Sequence, residues 1–214
     1  MSLFASAASL ESIKLADAEL AFAEHFYPAS TADDLLSSLL SETDWRQESI
    51  QVWGKSHLQP RLTAWHGDPG TDYSYSGIAL QPGAWTPVLL KIRNDIIAAT
   101  GHRFNSVLLN LYRDQRDSMG WHSDDEAELG QNPVIASLSL GATRSFKLKH
   151  KTRPEQKTLH LDLPHGSLLL MSGSTQHHWQ HGISKQTHAI GARINLTFRQ
   201  IISSKFPPPK SGNS

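Results

Sequence analysis

The sequence predicts an α+β protein whose core is a double-stranded β-helix, or jelly roll, buttressed by helices. Three observations carry this. The helix-like patterns all precede Gly101. After it the chain reads as short strands, at 107–112, 134–140, 144–149, 158–163, 167–172 and 190–200, punctuated by Gly, Pro, Asn and Asp. Helices first and a run of strands afterwards is the order expected of a double-sheet core covered by helices.

Each element has a local reason. Residues 1–25 are alanine-rich with little patterning and are expected to form a loose N-terminal arm. Ser30-Thr31 offers an N-cap, with Asp33 and Asp34 in the first turn, for a short helix to about Leu40. Thr86-Pro87 is a second helix start, cap and then proline. That helix runs through Val88, Leu89, Ile92, Ile96 and Ile97, spaced for one buried face, and stops at Gly101. In the strand Val107 to Tyr112, Leu108, Asn110 and Tyr112 share one face, and Val107, Leu109 and Leu111 the other. A single domain is expected over 26–202, followed by a flexible tail at 203–214 that contains Pro207-Pro208-Pro209.

Length and composition narrow the function. At 214 residues the chain can bury a full core. It has no apolar run of roughly 18 residues, so no membrane span is expected, and no basic-then-apolar leader, so no secretory signal. The absence of cysteine excludes disulfides, thiolate metal sites and cysteine nucleophiles. A cytoplasmic location is expected, or a nuclear one in a eukaryotic cell. The 20 acids and 20 bases cancel overall but are unevenly placed. Residues 1–44 hold eight acids and one base, leaving twelve acids and nineteen bases for residues 45–214. The densest basic segment is Arg144, Lys147, Lys149, Lys151, Arg153 and Lys157. It is expected to contact phosphate, with Lys147 and Lys149 on one strand face.

The chemistry concentrates in His122-x-Asp124, His181, and the run Arg193 to Arg199. Two histidines and a carboxylate are the ligand set of non-haem Fe(II) oxygenases. With 12 histidines in the chain, such a pattern is expected by chance; the strand that follows changes the odds. Arg193, Asn195, Thr197 and Arg199 line one face of it, and Ile194, Leu196 and Phe198 the other. Left in water, that polar face would be an ordinary amphipathic strand. Behind a metal triad it reads as a binding wall, because guanidinium grips carboxylate in a fork. The same triad suits Zn²⁺. A zinc hydrolase would need a general base, for which Glu126 is available, and would leave the arginine strand unexplained. His177 and His178 compete with His181 as the third ligand.

In Asn110-Leu111-Tyr112, Gly120-Trp121-His122-Ser123-Asp124-Asp125-Glu126, Ser137-Leu138-Ser139-Leu140-Gly141, Pro164-His165-Gly166-Ser167-Leu168-Leu169, Trp179-Gln180-His181-Gly182 and Arg193-Ile194-Asn195-Leu196-Thr197-Phe198-Arg199, the chain resembles the AlkB-like Fe(II)/2-oxoglutarate-dependent dioxygenases. The likeness covers roughly residues 45 to 201 and includes Pro60-Arg61 and Tyr73-Ser74-Tyr75-Ser76-Gly77. It is nearest to the double-strand-preferring eukaryotic member, through Gln51-Val52-Trp53-Gly54.

The resemblance implies Fe(II) held by His122, Asp124 and His181. It implies 2-oxoglutarate held by Arg193 and Arg199 with Asn110, Tyr112, Asn195 and Thr197, and O₂ as oxidant. It implies oxidative demethylation of N1-methyladenine and N3-methylcytosine, releasing formaldehyde, succinate and CO₂. The base must be flipped out and held by stacking and edge contacts. Tyr73, Tyr75 and Ser76 are implied at that pocket, Asp125 and Glu126 as acids facing the cationic base, and Arg61 near the lid. Trp53 is a candidate wedge in the vacated stack; a core tryptophan is the alternative. The expected partner is alkylated DNA, single- or double-stranded, bound by a monomer away from membranes. RNA, a protein or lipid substrate, and a binding module with a vestigial site are the alternatives.

Overall fold

The computed structural model describes residues 9–52, 55–71, 73–75, 78–80 and 82–202. In chain order the elements are β1 (Glu11–Leu15), β2 (Ala18–Ala23), α1 (Ala29–Glu42), β3 (Ser49–Val52), β4 (Lys55–Leu58), β5 (Leu62–Gly67), β6 (Tyr73–Tyr75), β7 (Ile78–Leu80) and α2 (Pro87–Thr100). Then follow β8 (Ser106–Tyr112), β9 (Met119–His122), β10 (Ile135–Gly141), β11 (Arg144–His150), β12 (Leu159–Leu163), β13 (Ser167–Ser172), α3 (Thr175–His178), β14 (Trp179–Ile183) and β15 (Arg193–Arg199).

Seven strands form a large antiparallel sheet in the order β1-β2-β13-β10-β15-β8-β5, and four form a small one, β12-β11-β14-β9. Two hairpins, β3-β4 and β6-β7, stand apart from both. The two-sheet core with its helices is the α+β jelly roll the strand pattern predicts.

Alternation along the strands separates two cores. Leu109, Leu111, Ile194, Leu196 and Phe198 join Leu35, Leu39, Ile92 and Ile96 of the helices. Leu108, Tyr112, Phe146, Leu148, Met171, Trp179 and Ile183 form the second core. The second helix is built as its sequence dictates. The Leu89 N–H donates to Thr86 Oγ1, Pro87 occupies the first turn, and Gly101 closes the helix at φ 72° with its N–H donating to the Ile97 carbonyl. The first helix starts one residue ahead of the expected cap, after Pro28, with no side-chain cap.

The N-terminal segment departs from expectation. Residues 11–23, expected in a loose arm, form the β1-β2 hairpin, and β2 pairs with β13 from Leu168↔Ala23 to Ser172↔Glu19. The domain therefore begins upstream of residue 26. Ile13 and Leu15 alternate with Ser12 and Lys14, a two-residue period too short to stand out among the alanines. The rest of the expected arm, residues 1–8, and the expected tail from Ser203 lie outside the described residues.

Candidate functional site

The site lies between the two sheets. On the large sheet, register stacks polar side chains into one wall. Arg193 pairs with Tyr112, Asn195 with Asn110 and Thr197 with Leu108 on one side; Asn195 pairs with Ser139 and Thr197 with Ser137 on the other. Every residue of β15 is buried, so the polar face of this strand is not turned to water. Its hydrogen bonds are internal. Arg193 Nη2 donates to Ser139 Oγ at 2.9 Å, Asn195 Nδ2 to Ser137 Oγ at 2.8 Å, and Thr197 Oγ1 to Asn195 Oδ1 at 3.1 Å.

The small sheet brings the imidazoles. His122 ends β9 and His181 sits in β14 as its cross-strand partner, with ring centroids 4.2 Å apart. Gly182 lets β9 come this close: a Cβ there would lie 3.0 Å from the Met119 carbonyl oxygen. Asp124 follows β9 and is 1 % exposed. Its N–H donates to Gln176 Oε1 at 2.9 Å, and its Oδ1 accepts from Arg199 Nη2 at 2.9 Å. Potential ligand atoms of His122, Asp124 and His181 all lie within 4.8 Å of one another.

The protonation of the three suits a metal. His122 Nδ1 is 3.0 Å from the Gly120 carbonyl, so this nitrogen carries the proton and Nε2, which faces Asp124, has its lone pair free. Burial, and then the neighbouring His122, push His181 down to about 3; burial also lowers His122. Burial alone would raise the Asp124 carboxyl, but Arg199 and the two imidazoles hold it at about 2. Two neutral imidazoles and one carboxylate are a proton-free donor set for a divalent transition metal.

A second cluster, Asp17, His150 and His178, has comparable spacing. There His150 Nδ1 accepts from the N–H groups of Thr152 and Arg153, so its Nε2 carries the proton and faces Asp17 Oδ2 at 3.3 Å. Asp17 is also bridged by Arg153 at 2.8 Å. This is a latch between the N-terminal hairpin and the small sheet, not a ligand set. His178 stacks on His150, and His177 is exposed and bonded to Asn132, so His181 alone of the three histidines enters the first cluster.

The large-sheet wall fits an anion. Arg193 is 1 % exposed, yet its Nε and Nη1 have no partner. Two buried guanidinium donors without an acceptor are costly unless a ligand supplies one, and a dicarboxylate does. Burial lowers Arg193 only to about 10, so it stays charged. Arg193 lies over the Tyr112 ring at 5.2 Å, and Leu108, Met171, Phe146 and Ile183 give the cavity an apolar lining.

Several residues take positions the sequence did not suggest. Arg61 is buried, and its Nε donates to Asn110 Oδ1 at 2.7 Å. Arg144 is not part of a basic surface. Strand alternation turns it inward with Phe146 and Leu148, where it donates to the carbonyls of Asp114, Asp117 and Ser184. Lys147 and Lys149 are on the opposite face, and Lys149 lies 5.1 Å from the ring of Trp121, which is 43 % exposed. Asp125 is exposed and paired with Lys151; Glu126 is half-buried before a 3₁₀ turn at Ala127–Leu129. Sequence reasoning assigned no role to Gln176, Ser137 or Ser139. The Ser137-Leu138-Ser139 alternation was the available signal for the serines; Gln176 had none. Tyr73 and Tyr75 lie in β6, but the placement of their side chains, like Ser76 and Trp53 themselves, lies outside the described residues.

Comparison with known proteins identifies the family. Residues 19–199 match the family model of the 2OG-Fe(II) oxygenase superfamily. The chain is 43 % identical over 196 residues to the alpha-ketoglutarate-dependent dioxygenase alkB homolog 3 of Bos taurus, covering 88 % of this chain and 66 % of that protein. It is 43 % identical to the Homo sapiens protein of that name, covering 86 % and 65 %. To the DNA oxidative demethylase ALKBH2 of Homo sapiens it is 40 % identical over 183 residues, 81 % and 70 % of the two chains. The likeness is thus shared between both homologues. The chain spans just under two thirds of the length of the alkB homolog 3 relatives. Among solved structures, "The structure of OsALKBH1" superposes with a TM-score of 0.57 at 20 % identity, over 85 % of this chain and 97 % of that one, a likeness of fold.

Proposed function

The chain belongs to the 2OG-Fe(II) oxygenase superfamily, and from that premise we propose that it demethylates N-alkylated bases oxidatively, N1-methyladenine and N3-methylcytosine in DNA first among them. The observation that carries the reading is that one buried cavity holds both halves of the required machinery: the His122, Asp124 and His181 cluster, and the unpartnered donors of Arg193. The relatives' names supply the substrate class: one is a DNA oxidative demethylase.

In this reading His122, Asp124 and His181 hold Fe(II). With 2-oxoglutarate and O₂ bound, that centre supplies hydroxylation of the N-methyl carbon, coupled to decarboxylation of the co-substrate to succinate and CO₂; the hydroxymethyl group then leaves as formaldehyde. The chain's own residues do the positioning. Arg193 takes the carboxylate remote from the metal in its fork, and Asn110, aimed by Arg61, borders it. Arg199 sits at the metal end, where it fixes Asp124. Asn195 and Thr197 satisfy each other and the β10 serines, leaving the wall rigid. Phe146, stacked on His181, and the apolar lining keep bulk water from the reacting centre. We assign Asp125 and Glu126 to the positive charge of the methylated base, Tyr73, Tyr75 and Ser76 to contacts with the flipped base, and Trp53 to the wedge.

The proposed partner is alkylated DNA engaged by a single copy of the chain, in the cytoplasm or, in a eukaryotic cell, the nucleus. Among the described residues no helix is long and apolar enough to cross a membrane. The test is mass spectrometry of N1-methyladenine and N3-methylcytosine oligonucleotides after incubation with Fe(II), 2-oxoglutarate and O₂. Single-stranded DNA, duplex DNA and RNA are run in parallel. Loss of the methyl mass from DNA with one succinate per base restored is expected. Activity confined to RNA moves the substrate to that polymer, and no methyl loss from any of the three removes the reading.

A further inference from the structure

Lys151 follows β11 and is fixed at two points, both on the backbone of α3. Its N–H donates to the His178 carbonyl at 2.7 Å, and its ammonium donates to the Gln176 carbonyl at 2.8 Å. The same ammonium meets Asp125 Oδ2 at 3.1 Å. Gln176 in turn holds the N–H of Asp124. Lys151 is three-quarters buried at its side chain, whereas Asp125 is about half exposed (25 % and 53 % accessible). The lysine is therefore the fixed member of the pair and the carboxylate the available one.

An ammonium anchored on a backbone carbonyl stays in place when its carboxylate takes a new partner. A base that reaches Asp125 thus meets a pair whose charges cancel, not a lone anion. A cationic base gains attraction to Asp125 and loses part of it to Lys151. A neutral base with an N–H gains the hydrogen bond to Asp125 and feels little of either charge.

We infer that Lys151 is a specificity-determining residue. It tempers the charge selection exerted by Asp125, so that the pocket takes neutral N-methylated bases as well as cationic ones. The inference rests on the reading of Asp125 as the base-facing acid.

The test compares oligonucleotides carrying N1-methyladenine, cationic at neutral pH, with those carrying N1-methylguanine, which is neutral. The wild-type protein, Lys151→Met and Lys151→Arg are each assayed for kcat and KM. Binding of both oligonucleotides to the metal-free protein is measured alongside by fluorescence anisotropy. Lys151→Met removes the charge and keeps the stem. It is expected to raise the preference for the cationic base about three- to tenfold, a modest factor because the pair is partly solvated. The change should appear in KM and in binding, with kcat on the neutral base unmoved. Lys151→Arg keeps the charge and should keep the wild-type ratio. Lys151→Gln gives the same reading should the methionine variant not fold.

A ratio that stays level or falls in both neutral variants overturns the inference, since a lysine that merely ordered Asp125 would weaken recognition of the cation. A wild-type protein that neither binds nor turns over either oligonucleotide fails at the earlier step, and removes the functional reading together with this one.

Discussion

Arg199 Nη2 and Asp124 Oδ1 lie 2.9 Å apart, and the two side chains are 3 % and 1 % exposed. Arg199 belongs to the large sheet and Asp124 to the loop beyond the small one. This buried ion pair therefore joins the anion-binding wall to the metal cluster. Its partners cannot be separated cheaply, because each charge is desolvated and depends on the other.

Replacing Arg199 by methionine leaves the Asp124 carboxylate buried without its guanidinium. The expected loss is about 3–5 kcal/mol of stability, read by urea denaturation of the metal-free protein. A loss below about 1 kcal/mol, the worth of an ordinary surface pair, would show that the contact is not what holds the two walls together.

Metal affinity separates the three neighbouring histidines. His181→Ala is expected to abolish saturable Fe(II) binding under anaerobic titration, and Asp124→Ala to do the same. His177→Ala and His178→Ala are expected to bind the metal as the wild type does, since one faces Asn132 and the other His150. Loss of binding in either of those two would relocate the centre.

Arg193→Lys keeps a charge but not the planar fork. The KM for 2-oxoglutarate is expected to rise about 10- to 100-fold, with kcat at saturation changed far less. A drop in kcat with KM unmoved would place the co-substrate elsewhere.

Asp117 provides a pH test away from the metal. Burial would raise its carboxyl, but the Arg113 side chain and N–H bind it and hold it below the ordinary 3.8. A folded-state value below the unfolded one stabilises the protein above about pH 4, and the contribution fades as pH falls through the folded value. Asp117→Asn is therefore expected to cost about 1–3 kcal/mol at neutral pH and to flatten the acid limb of the stability curve. Equal losses at pH 3 and pH 7 would contradict the linkage.

Much of this was written locally in the chain. The alternation of Arg193 to Arg199 placed four polar residues on one face, and β15 carries them there, while Thr86, Pro87 and Gly101 marked both ends of α2. Strand β14, which carries His181, was not legible. Its glycine breaks the alternation, and its place is set by packing against β9 and β11. Gln176 reaches Asp124 across 52 residues, and Arg61 reaches Asn110 across 49. Hydrogen bonds of that span leave no trace in local patterning, because nothing near either partner encodes the other. Arg144 misled for a related reason: a basic cluster suggests a surface, but strand period and three carbonyl acceptors decided which way the side chain turned.

Strand β9, which ends in His122, is the outermost strand of the small sheet and is attached through β14 by two registered pairs with a shift between them. An ion shared by His122 and His181 would act there as a rivet through the seam, fastening an edge that few backbone bonds secure. Amide exchange should report it: the N–H groups of β9 are expected to be among the first to exchange in apo protein, and metal is expected to move them from local opening towards the slow regime that β10 and β15, deep in the large sheet, occupy with and without the ion.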